Sequence, residues 1–383
     1  MPGALEQTAL ANGVRILSCR QPGDRFALGL WLRHGSRHEA ADRRGHTHLL
    51  EHLWLAGICG AATGPDQLNA RTGRELTGLY GSIPAPRWRE LTERLGTLLL
   101  NPRFSDADLA RERTAIACER RCHEPGRTED LACAALWPDH PLGRPVAGPP
   151  GALASADAAS LHRYHRELLC GARLGVTAVG PVAHRLLVDA CAPLGELAAG
   201  TLPEVRRPPR IPGPRHRPVG RENPLWALPT AGWSDPNLHA LLLAGQLVGG
   251  TSGLFGRLAG EGARDCALGA RLTLFGDAGL LLVEAAAPPR RRAECRAAVE
   301  RALAALAAGA AAPGDLARAV AALGARLDAT GEPLALVQRL GRELWYLPGL
   351  PGVDQRRAAL AAVTPGAVAR VLGAAWRDRV VWP

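Results

Sequence analysis

The stretch GHTHLLEHLW, residues 45–54, sets His48, Glu51 and His52 in an otherwise apolar run. On a helix, His48 and His52 stand four apart on one face, and Glu51 lies beside the same spot. Two imidazoles and a carboxylate then converge. That set suits a metal held by two histidines, with the carboxylate placed to accept a proton. Zinc bound this way needs a third protein ligand and keeps a fourth position for water. The segment RERTAIACERR offers Glu112 and Glu119, seven residues and two helical turns apart on one face. Stacked carboxylates on the apolar side of a helix are costly unless something cationic meets them. The competing reading is a polar helix face with stray histidines and two solvated surface glutamates.

The flanking sequence has to position these groups. TALANGVRILSCRQ reads as a hairpin around Asn12-Gly13, and FALGLWLRHGSRHE as a strand leaving the core, with the histidine-rich helix directly after it. Trp88, Leu91, Leu95 and Leu98 recur at helical spacing in APRWRELTERLGTLLLN. SDADLARERTAIACERRC is a further helix, with Ser105 capping its start and Asp106 and Asp108 favouring its first turn. A helix over roughly 155–169 and the strand ARLGVTAVG follow.

Residues 201–220, TLPEVRRPPRIPGPRHRPVG, are too rich in Pro and Arg for a regular helix or a central strand, and read as a linker between domains at 1–200 and 221–383. Beyond it the element order of the first half returns. A helix near 236–248 is followed by the turn VGGTSG, a helix, the strand pair ALGARLTLFGDAGLLLVEAAAP, and Ala-rich helices near 290–325 and 355–376. No alignable repeat accompanies that order.

Composition bounds the class. The chain has 383 residues, 47% apolar and 21% charged, which suits two globular domains. The formal net charge is +10, carried by arginine with no lysine, and the arginines are spread along the chain without an aromatic-interleaved basic module. A nucleic-acid partner is therefore not expected. The N-terminus lacks a signal-peptide pattern, and no apolar run reaches membrane-spanning length, so the expected location is the cytoplasm with no membrane contact. Nine cysteines without a CxxC pair argue against a disulfide framework and a zinc ribbon.

H-x-x-E-H is the inverzincin signature, and its frame resembles the pitrilysin or insulinase family of metallopeptidases, in particular the smaller members related to mitochondrial processing peptidase. The resemblance covers nearly the whole chain. It includes LANGVRIL, LGLWLRHGSRHEAADRRGHTHLLEHLWLAG, LNARTGRELTGLYGSI, LLLNPRFSDADLARERTAIACE, HPLGRPVAGP, LHRYHRELLCGARLGVTAVGPV and LVGGTSGLFGRLAGEG, in that order.

The resemblance implies an α/β fold of two similar domains, each a mixed sheet packed with helices, arranged as a clamshell. It implies that His48, His52 and Glu119 bind zinc, that Glu51 is the general base, and that Glu112 supports the site. Sixty-six residues separate His52 from Glu119, fewer than is usual in the family, which leaves Glu124 and Glu129 as rival ligands. Glu119 is preferred because RERTAIACE matches the family helix, whereas Glu124 precedes Pro125 and Gly126, where a helix should be ending.

LNARTGRELT resembles the family's edge strand, which takes an extended peptide substrate by adding it to the sheet, so Asn69, Ala70 and Arg71 are expected to make main-chain contacts. An arginine at 71 or 74 would favour acidic residues in that peptide. The expected activity is zinc-dependent endopeptidase cleavage of extended peptides, with leader removal from a ribosomally made peptide as one such task. The alternatives are a non-catalytic scaffold subunit and a self-sufficient homodimeric protease.

One departure bears on partners. Active relatives carry an Arg and a Tyr in the second half that grip substrate, and here GEGARDCALGARL puts Ala263 and Ala270 at those places. Arg264, one residue away, and Arg271 are among the residues that could grip substrate instead. A second pitrilysin-like subunit supplying the missing Arg and Tyr is the expected partner.

Overall fold

The computed structural model describes residues 5–59, 66–122, 124–217, 223–250, 267–311, 313–328 and 332–382. They form two compact units: Met1–Asp130, Arg144–Arg206 and Thr330–Leu350, and Leu131–Gly143, Arg207–Ala329 and Pro351–Pro383. The division near 206 falls in the Pro/Arg-rich stretch. The units are nevertheless not the contiguous 1–200 and 221–383 expected from the sequence, because each takes a segment from the other half of the chain.

In the first unit, β1 (Leu5–Ala9) and β2 (Arg15–Arg20) form the expected hairpin, closed by the Leu10 amide donating to the Val14 carbonyl at 2.8 Å. Gly13 sits at φ +93°, a left-handed conformation that a side chain would strain. Then come β3 (Arg25–Leu32), α1 (His46–Cys59), β4 (Gln67–Thr72), β5 (Thr77–Pro84), α2 (Trp88–Leu100), α3 (Asp106–Cys122), the start of α4 (Glu124–Leu136), whose residues from Leu131 belong to the second unit, α5 (Ala158–Leu168) and β6 (Leu174–Gly180). The sheet order is β1-β2-β6-β3-β5-β4, with β2 and β6 parallel and the remaining pairs antiparallel. Hence β4 is an edge.

The strand β3 is buried along almost its whole length, because both faces of the sheet are covered. Phe26, Leu28, Leu30 and Leu32 meet Leu49, Leu50, Leu53 and Trp54 of α1 in one core. Each fully buried side chain of this kind contributes about 1.5–3 kcal/mol. On the opposite face, Ala27 and Trp31 pack against Leu336, Val337, Leu340 and Leu344 of the helix Pro333–Tyr346. Gly341 admits that helix, since a Cβ there would lie 2.2 Å from Trp31. Nothing in the residue order marks this segment, drawn from the second half, as a cover for the first sheet.

The second unit repeats the plan. Its sheet runs β7 (Arg215–His216), β11 (Val380–Trp382), β8 (Leu225–Thr230), β10 (Gly279–Ala286) and β9 (Ala267–Leu274), with β7 and β11 parallel and the rest antiparallel. That is the order and sense of β2-β6-β3-β5-β4, so the duplication inferred from element order is present in the topology. Here α6 (Leu238–Gly249) takes the place of α1, and residues Ala132–Leu142 cover the other sheet face. Among the described residues no single helix is long and apolar enough to cross a membrane.

Candidate metal centre

The site rests on two helices and the edge strand of the first unit. α1 begins at a fixed point because the Glu39 carboxylate accepts from the Gly45 and Thr47 amides at 2.7 and 2.8 Å. Its apolar residues seat it against the sheet, which buries His48 and Glu51 along with them. α3 begins at the expected cap, where the Ser105 amide donates to Asp108 at 2.8 Å and the Asp108 amide donates to the Ser105 hydroxyl at 3.3 Å.

Between the helices, donor atoms of His48, His52 and Glu119 all lie within 4.8 Å of one another. Glu119 Oε2 is 3.5 Å from His48 Nε2 and 3.3 Å from His52 Nε2. Ligands about 2.0–2.2 Å from a tetrahedral zinc stand roughly 3.3–3.5 Å apart, so the two separations from Glu119 fit the ion. The Glu112 carboxylate lies 3.3 Å from His52 Nδ1, the usual way the far nitrogen of a metal-binding histidine is held. Glu112 is in turn bound by Arg111 at 3.0 Å.

The electrostatics distinguish the two histidines. Burial, reinforced by His52, pulls the His48 imidazole down to about 4, leaving it neutral and able to donate a lone pair. His52 is also pulled down by burial, but Glu119, Glu51 and Glu112 outweigh this and raise it. Burial raises Glu51, whose Oε2 lies 3.7 Å from His48 Nε2.

Glu51 Oε2 also accepts from the Thr72 amide at 3.0 Å, which ties the carboxylate to the end of β4. Two residues earlier, the Ala70 amide donates to Asn69 Oδ1 at 2.8 Å. Amides two apart point the same way, so both bonds lie on the side of β4 away from β5. The free edge thus leads directly to Glu51. Asn69 and Arg71 are exposed on it and Ala70 is buried.

The other expected residues fall elsewhere. Glu129 accepts from Arg74 at 2.9 Å and is no part of the cluster. Arg74 is buried and also donates to Asp130 at 2.6 Å, so it joins β-hairpin to helix and offers nothing to a ligand. The helix expected to end near Pro125 instead starts anew at Glu124, with proline in its first turn, where its missing N–H costs nothing. The Glu124 side chain lies outside the described residues, as do Ala263 and Arg264. Ala270 is half-buried and Arg271 exposed on β9. Sequence reasoning missed Arg120, whose charge also bears on His48. Its position next to Glu119 was the available signal.

Residues 15–150 match the insulinase family of peptidases, M16. The chain is 28% identical over 330 residues, 79% of its length and 73% of the relative's, to an uncharacterised zinc protease of Mycobacterium leprae. It is 28% identical over 279 residues to the mitochondrial-processing peptidase subunit beta of Rattus norvegicus, covering 65% of this chain and 55% of that one. The chain therefore spans about half the length of that subunit. A protease from Helicobacter pylori has the same fold, with a TM-score of 0.88 over 100% of both chains at 16% identity. Residues 15–150, which carry the histidine and glutamate frame, thus match the M16 insulinase/pitrilysin family of peptidases, and the chain is similar to the processing peptidase beta subunit and to bacterial zinc proteases.

Proposed function

We propose that this chain is a zinc-dependent endopeptidase that cleaves peptides bound in extended form. The observation that carries the reading is the meeting of three metal-capable donors with a buried carboxylate at the end of a free sheet edge. His48, His52 and Glu119 hold the ion, and Glu112 keeps His52 in the tautomer whose Nε2 is free. Zinc, when bound there, lowers the pKa of water toward 7 and polarises the scissile carbonyl. A peptide added along β4 pairs with its main chain, and its path leads to Glu51. Glu51 takes the proton of the attacking water and returns it to the leaving amine, a role worth a factor of about 10² to 10⁴. Its tie to the Thr72 amide keeps it aimed while it waits. Removal of a leader from a ribosomally made peptide suits an enzyme that reads an extended segment.

The scaffold alternative leaves the buried Glu51 and the donor set without a task, and burying such groups is costly. The ligand set is tested by zinc content. Glu119→Ala is expected to lose the metal and Glu129→Ala to keep it; the reverse would refute the assignment.

A second subunit completes the reading. The similar beta subunit is by its name one part of an assembly, and Ala270 stands where a substrate-gripping tyrosine is expected. A pitrilysin-like partner with that Arg and Tyr should raise peptide turnover on titration. Full turnover by this chain alone, unchanged by the partner, would refute the heterodimer and leave a homodimeric or single-chain protease.

A further inference from the structure

The flank of α3 next to the metal donors carries Arg113 and Arg120, seven residues apart, with Arg121 beside them. With Ile116, Pro150 and Leu153 they line a cavity of about 510 Å³ between α3 and the loop that follows residue 148. No carboxylate lines it among the described residues. One Arg113 nitrogen, Nη2, donates to the Ala156 carbonyl, while its buried Nε has no hydrogen-bond partner among them. Arg120 is half-buried and forms no ion pair among them. Three guanidiniums in one concave, partly apolar site raise the local potential and favour an anion. A guanidinium offers paired donors that match a carboxylate. Arg120 lines the cavity one residue after the donor Glu119 on α3, and its charge is felt at His48.

We propose that this cavity is a carboxylate subsite, taking an acidic group carried by the peptide substrate close to the bond that is cut. The proposal rests on the peptidase reading above. It assigns acid preference to Arg120 and its neighbours, since Arg74 is occupied by Glu129 and Asp130.

The test uses zinc-loaded Glu51→Gln protein, which holds peptide without cutting it, and three dye-labelled ten-residue peptides of Ala, Gly and Ser. The first carries a central Glu pair and an amidated C-terminus, the second a Gln pair and the same amide, and the third the Gln pair with a free C-terminal carboxylate. Fluorescence polarisation should give a Kd at least about tenfold lower for the first than for the second, as a charge-assisted contact requires. A gain seen only with the third peptide identifies the C-terminal carboxylate as the group bound. Arg120→Gln with Arg121→Gln should shrink the ratio below twofold, and Arg120→Lys should restore part of it. Equal Kd values in the parent protein, or a preference untouched by these substitutions, would overturn the subsite. Cleavage of the same peptides by the zinc-loaded enzyme with Glu51 intact and the pitrilysin-like partner present separates the two readings. Preference without cleavage removes the peptidase and keeps the subsite, whereas cleavage without preference removes the subsite alone.

Discussion

Replacing Glu112 by alanine separates a residue that positions a ligand from a surface charge. Glu112 Oε2 lies 3.3 Å from His52 Nδ1, and its side chain is only 12% exposed. It therefore holds the ring by a hydrogen bond that solvent does not readily replace, and fixes Nε2 as the free lone pair facing Glu119. Partners of this kind are worth about 10- to 100-fold in metal affinity, or roughly 1.4 to 2.8 kcal/mol. Glu112→Ala should weaken zinc by that factor without abolishing binding, because His48, His52 and Glu119 remain. Glu112→Gln keeps an amide oxygen that can accept from Nδ1–H, so its loss should be a few-fold at most. Competition against a chromophoric chelator measures both. A zinc Kd for Glu112→Ala within twofold of the parent, or equal losses for Ala and Gln, would refute the reasoning.

The Asn69 side chain occupies the Ala70 amide on the edge that a substrate would use; Asn69→Ala should lower KM for an extended peptide about two- to fivefold with kcat unchanged, and an increase in KM would count against edge binding. Burial pulls His34 and His165 down to about 4 and His38 to about 2. These three rings thus bind fewer protons in the folded state than in the unfolded state below pH 6.5, so their contribution is full above that pH and falls as pH drops toward 4, by about 2 kcal/mol for each at pH 5, whereas Glu39, raised to about 7 by burial, acts in the opposite sense. Thermal melts of chelator-treated parent and His165→Leu protein isolate one ring: the variant should lose less stability than the parent between pH 7 and 5, and identical pH profiles would contradict the burial of His165. Gly341→Ala puts a Cβ 2.2 Å from Trp31 and should cost about 2–3 kcal/mol in the melt, whereas no loss would mean the helix Pro333–Tyr346 does not pack there.

Features governed by local chemistry were legible in the sequence. Asn12-Gly13 fixes a hairpin because few residues tolerate its turn, and the Ser105 cap with Asp108 marks the start of α3 by bonds made within four residues. His48, Glu51 and His52 were legible because one helix turn brings them together. Glu119 came into view only through its frame, since a carboxylate on a distant helix looks like any other. For the same reason Glu129 and Arg74 could be read as functional, although they neutralise each other. The placement of Pro333–Tyr346 on the first sheet was hidden because an amphipathic face shows that it is buried and not which sheet buries it. The edge bond of Asn69 was hidden too, since nothing in the residue order distinguishes a side chain serving substrate from one serving its own neighbour.

Peptide hydrolysis by the zinc-loaded chain and its Glu51→Gln variant, with the pitrilysin-like partner present, tests the proposed chemistry most directly. Glu51→Gln should keep one zinc per chain and the parent melting profile, and lose turnover by about 10² to 10⁴, because the proton acceptor is removed while the metal donors stay. Turnover retained at the parent rate with zinc bound would contradict the role of Glu51 and with it the peptidase mechanism built on this site.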